Sequence, residues 1–221
     1  MSLGERSLSP NLVEDISLGS VGSMNKKIFS KEFNEVGTPY LVNDIKLNIS
    51  KEILSEGDFN VVSARKVKPI DSLMNTDSIN KAITIKLKLA DEIGYINSIN
   101  NSKALRKYLT NTNNGVVVTE IKVSIPSSIA LELINAEEVY LQNGSISAYT
   151  LTTYSSQTGY NRVSFKDGVI LGFEVSNFCW IRNVRGDITA MAIVKKGKSC
   201  PGRTKRNSTN FDLEKDFKDF Y

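Results

Sequence analysis

Between residues 139 and 194, short runs rich in Val, Ile, Thr, Tyr and Phe are separated by glycine-containing turns about every eight to twelve residues. Gln142-Asn143-Gly144 leads into 146–154, Gly159 breaks that run, 161–165 resumes it, and Lys166-Asp167-Gly168 marks a second hairpin turn. Asn-Gly and Asp-Gly supply the positive φ that a tight hairpin needs, so each instructs the chain to reverse. Runs at 169–175, 178–184 and 188–194 follow, the last two joined through Arg185-Gly186-Asp187. A meander of this kind predicts antiparallel β structure.

The remaining sequence agrees. In 81–90, Ile83, Ile85, Leu87 and Leu89 alternate with Thr84, Lys86 and Lys88, so one face is apolar and the other meets water or an anionic partner. Ile45, Leu47 and Ile49, and then Val117, Ile121, Val123 and Ile125, have the same period, and 60–64 reads as a further short strand. Helices are expected at 101–109 and at 129–134, the latter capped by Ser127 or Ser128, with a single turn over 50–57. Ile28, Phe29, Phe33 and Val36 suit a short helix or an edge strand ended by Gly37-Thr38-Pro39. The expected fold is mainly β, an antiparallel sandwich or open barrel of about seven to nine strands with two or three short helices. Its core has Ile83, Ile85, Leu87 and Leu89 facing Val117, Ile121 and Val123 or their sheet neighbours. A flexible N-terminal arm is expected over 1–24, which holds six Ser and three Gly, followed by a globular domain over 25–194. A basic, then acidic-aromatic, C-terminal arm spans 195–221, its 195–210 portion extended or disordered.

The chain of 221 residues contains no histidine. Ser-His-Asp and Cys-His nucleophile systems are thereby excluded, since each needs an imidazole to take the nucleophile's proton. A zinc site built from His and Cys is excluded too, because two distant cysteines cannot fill a tetrahedral shell. No catalytic residue, metal site or cofactor is expected. Gly197-Lys198-Ser199 has the ending of a phosphate-binding loop, but Ala192 stands where its first glycine belongs and Pro201-Gly202 starts no helix. Arg185-Gly186-Asp187 reads as a turn rather than as a receptor-binding tripeptide. Asp91/Glu92 and Glu137/Glu138 are neighbours whose side chains diverge, so they read as solvated surface. Cys179 and Cys200 could form one bridge, although a secreted domain of this size more often carries several; otherwise Cys179, among Phe178, Trp180 and Ile181, reads as a buried inert thiol, and Cys200, among lysines, as the more reactive one. Met1 to Glu5 offers no basic start, and no stretch approaches 18 apolar residues, so an intracellular, cytoplasmic chain without a membrane span is expected.

The charge is uneven. Arg182, Arg185, Lys195, Lys196, Lys198, Arg203, Lys205 and Arg206 stand against Asp187 alone, so 182–206 carries +7 while the whole chain carries +4. Such a density suits neutralisation of phosphates and points to single-stranded nucleic acid as partner, the bland alternative being a solubilising tail. Phe211, Phe217, Phe220 and Tyr221 lie in an acidic end segment that reads as a protein-docking element. That end is similar to the acidic, aromatic tails of single-stranded-DNA-binding proteins, from which it departs in carrying Lys215 and Lys218. A β core with such arms resembles viral coat, matrix and movement proteins. The resemblance implies a non-enzymatic structural or assembly protein that self-associates and contacts nucleic acid, in host cytoplasm. A docking module acting through the C-terminal tail, and a carboxylate- or Mg²⁺-dependent enzyme, are the alternatives.

Overall fold

The computed structural model describes residues 16–26, 31–52, 82–112, 115–144, 149–163 and 168–211. Among them are strands β1 (Val21–Lys26), β2 (Lys31–Gly37), β3 (Ile45–Glu52), β4 (Ala82–Leu89), β5 (Gly115–Pro126), β6 (Glu138–Asn143), β7 (Tyr149–Ser155), β8 (Gly159–Val163), β9 (Val169–Arg182) and β10 (Ile188–Lys195). Three helices accompany them: α1 (Glu92–Asn101), α2 (Lys103–Asn111) and α3 (Ser127–Asn135). The expected mainly-β class holds, as an open antiparallel sheet of ten strands in the order β10-β9-β5-β4-β3-β6-β7-β8, with β1 pairing both β2 and β5. The chain divides into two compact units, one of Met1–Leu18, Lys46–Ala90 and Glu120–Glu174, the other of Gly19–Ile45, Asp91–Thr119 and Val175–Tyr221.

In the first unit β4 lies between β3 and β5. Leu87 pairs with Ile49 on one side and Ile121 on the other, and Ile85 pairs with Val123. Ile85, Leu87, Leu89, Ile121, Val123 and Ile125 are all buried, as their alternation predicts, while Ile83 is half-buried. Helix α3 packs against β4 and buries Ala130 and Leu133. Its N-cap is Pro126 rather than either serine, and Ser127 is already a buried helical residue. β6 and β7 pair antiparallel from Glu138↔Tyr154 to Asn143↔Tyr149, so Asn143, expected in the turn, ends β6, and residues 145–148 of the connection lie outside the described residues. Lys166 and Asp167 of the expected second reversal lie outside the described residues, among which β8 pairs with β7 while β9 pairs with β5 and β10. A dipeptide favours a turn but does not choose the strand's partner.

On the lysine face of β4, Lys86 meets the chain's own carboxylates. Lys86 Nζ lies 3.3 Å from Glu52 and 3.2 Å from the buried Glu120. Burial by itself would lower the Lys86 pKa, but Glu120 and Glu52 outweigh it and hold the amine above its ordinary value of 10.5.

In the second unit β1 and β2 form a hairpin, and Val21 pairs with Val117 of β5. A Cβ on Gly22 would collide with the Asn34 carbonyl, so only glycine lets these backbones approach so closely. The arm expected over 1–24 is packed from Ile16 among the described residues: Ile16, Leu18, Ser20 and Val21 are buried. No periodic apolar pattern runs through this stretch, and so the sequence did not show its burial. Helix α1 was not legible either. Gly94 and several Asn give it weak propensity, yet Asp91 caps it by accepting the Gly94 N–H at 2.8 Å. It packs on β10, where the Asn100 amide donates to the Ala190 carbonyl and accepts its N–H, both at 2.9 Å. The 50–57 turn begins inside β3, which runs to Glu52, and 53–57 and 60–64 lie outside the described residues.

Two measurements check this architecture. Leu87 is 1% exposed and touched from both neighbouring strands, so Leu87→Ala should lower unfolding free energy by about 2–5 kcal/mol in urea titrations. The raised Lys86 pKa means its contribution is fully present below pH 10.5 and is lost as pH rises through the folded-state value. Lys86→Met should therefore be less stable than the parent at neutral pH, and the difference should shrink in alkaline melts.

Candidate functional site

The cations singled out by charge lie at the end of β9, on the β9–β10 turn, at the end of β10 and on the segment that follows it. At the hairpin tip, Asn183 Oδ1 accepts the N–H groups of Arg185 and Asp187, both at 2.9 Å, and Gly186 takes φ 87°. Arg185-Gly186-Asp187 is thus a turn held by an Asx cap, and all three residues are exposed. The capping Asn183 was a readable signal, since Asn at a turn's start bonds the backbone two residues on.

Beyond Lys195 the chain turns through Lys198, whose N–H donates to the Lys195 carbonyl at 3.0 Å, with Gly197 at φ 87°. It then returns to β9. Cys200 is disulfide-bonded to Cys179, their Cα atoms 5.6 Å apart. Lys205 and Trp180 exchange two backbone hydrogen bonds of 2.8 Å as an isolated antiparallel bridge. A short 3-10 helix, Ser208–Phe211, follows, and the Ser208 hydroxyl donates to the Thr110 carbonyl at the end of α2.

Three expectations are corrected here. The stretch 195–210 is not an extended or disordered arm, because a disulfide, a β-bridge and a helix contact hold it. Cys179 and Cys200 are not an inert and a reactive thiol but the two halves of one bond. The segment after β10 returns to β9 and brings together positions 21 apart in sequence, which the alternating pattern cannot reveal. Phe211 does not present itself for docking: it is 8% exposed, with the Arg182 guanidinium 5.9 Å and the Lys205 ammonium 5.3 Å from its ring centroid. Arg182 Nη1 also donates to the Phe211 carbonyl at 3.2 Å. Phe217, Phe220 and Tyr221 lie outside the described residues.

Lys195, Lys196, Lys198, Arg203 and Arg206 are exposed, whereas Arg182 and Lys205 are half-buried around Phe211. Arg206 also donates to the Lys198 carbonyl, closing the loop on itself. The loop can offer N–H donors and positive charge to an anion. It offers no base-stacking ring, since Phe178, Trp180 and Phe211 are all buried. Among the described residues, no three His, Cys, Asp or Glu side chains are grouped to hold a metal, and no helix is long and apolar enough to cross a membrane. Comparison with family models, curated proteins and solved structures finds no match.

Phe211 is the apolar anchor of this segment. Phe211→Ala should cost about 3 kcal/mol of stability. It should also expose the chain after β10 to proteolysis, which differential scanning fluorimetry and limited digestion will register.

Proposed function

We propose that this chain is a non-enzymatic structural or assembly protein, of the viral coat, matrix or movement type, that contacts single-stranded nucleic acid through the cations of 182–206. The supporting observation is eight cations against a single acid over 182–206, six of them exposed on the β9–β10 turn, the end of β10 and the tied loop that follows it. Cations at fixed spacing can neutralise successive phosphates, and each contact releases about one counterion. The lack of an exposed ring on the loop favours recognition of charge over recognition of bases. Self-association belongs to the same reading, since assembly multiplies weak contacts along one strand. So does a cytoplasmic site of action, where a lone disulfide is a transient, redox-responsive bond.

A filter-binding titration with single-stranded RNA and DNA at two salt concentrations tests this. Affinity should fall steeply with salt, and replacing the exposed Lys196, Lys198 and Arg203 with Ala should flatten the slope of log affinity against log salt by about two to three. Base preference should barely change. Unchanged affinity after the triple substitution would reduce the basic loop to a solvated surface.

A further inference from the structure

Between the end of β10 and the Trp180–Lys205 bridge, the backbone bonds of the loop close on the loop itself, Lys198 to Lys195 and Thr204 to Pro201. The covalent tie to β9 is the disulfide. It is asymmetric: Cys179 is 0% exposed inside the strand, and Cys200 is half-buried on the loop, within three residues of Lys198 and Arg203. Those cations repel one another, so a loop without the tie expands.

We propose that the Cys179–Cys200 bond is a redox clasp that switches the basic loop 195–206 between a held and a released state and so sets its affinity for single-stranded nucleic acid. The thiolate of a dithiol reductant attacks Sγ of Cys200, the accessible partner, drawn there by Lys198 and Arg203. The S–S bond breaks, and the Cys179 sulfur leaves and takes up a proton. The reductant's second thiol then displaces Cys200, forming the reductant's own disulfide and leaving two protein thiols, a transfer of two electrons to the chain. The held state binds more tightly, because cations already at fixed spacing lose less conformational freedom on meeting phosphates. This inference rests on the nucleic-acid reading above.

The test compares the full oxidised chain, the chain reduced with dithiothreitol and alkylated, and Cys200→Ser. Trypsin cleavage mapped by mass spectrometry and binding of a labelled oligo(U) RNA at fixed salt are the readouts. Reduction and Cys200→Ser should each speed cleavage after Lys198 and Arg203 about tenfold and leave the strands intact. They should weaken RNA binding about three- to tenfold. Equal cleavage in all three forms overturns the clasp. Cleavage spreading through β9 and β10 also overturns it, since the bond would then hold the strands and not the loop. Faster loop cleavage with equal RNA affinity overturns its control of binding. Absence of RNA binding in every form refutes the nucleic-acid reading instead, and the clasp is then decided by the cleavage pattern alone.

Discussion

Seven successive residue pairs hold β4 against β5, from Ala82↔Pro126 to Lys88↔Glu120, and the first unit depends on that register. Side chains alternate faces with a period of two, so a slip of one residue would turn Leu87 and Ile85 outward and carry Lys86 into the core. β3 reads the same register from the other edge, placing Leu47 opposite Leu89 and Ile49 opposite Leu87. Helix α3 begins where the pairing ends, at Pro126, a residue that can neither donate to the ladder nor continue the strand. The polar face carries the same constraint. Glu52, Lys86 and Glu120 meet across three strands only in this pairing, so the ion pairs and the apolar core specify one alignment together.

The second unit solves a different problem, that of holding a highly cationic segment against a β hairpin. Like charges favour expansion, and charge patterning alone offers nothing to hold the chain in place. Three short-range features oppose the expansion: the covalent bond at Cys179, the backbone bridge at Trp180 and the ring of Phe211 between Arg182 and Lys205. A cation over an aromatic face gains favourable energy while keeping a solvated side. Lys196, Lys198, Arg203 and Arg206 are exposed beyond β10. Edge protection follows a related logic at β10, where Asn100 occupies both backbone groups of Ala190 and the register shifts between Ala190 and Ala192.

Much of the strand structure was legible because its signals are local. The alternation in β4 and the Arg185-Gly186-Asp187 turn each act within a few residues. The apolar faces of β3, β4 and β5 follow from period two, whatever partner each strand finds. The charge concentration of 182–206, and the exclusion of imidazole-based catalysis, are likewise properties of composition that no fold can alter.

Partnership was decided elsewhere. Which strands β9 pairs with, whether two cysteines meet, and whether Phe211 faces solvent all depend on contacts between distant positions. A turn dipeptide specifies reversal and not a neighbour, and a cysteine's environment in sequence says nothing of the strand that approaches it. Helix α1 shows the same division: weak propensity along its length is overridden by the Asp91 cap and by packing against β10. The sequence by itself determined β character, the apolar faces and the placement of charge, because those rest on side-chain type and a spacing of two. Tertiary structure alone decided that the basic segment is a clasped loop and not a tail, because a disulfide and a β-bridge need two distant backbones brought within reach of each other.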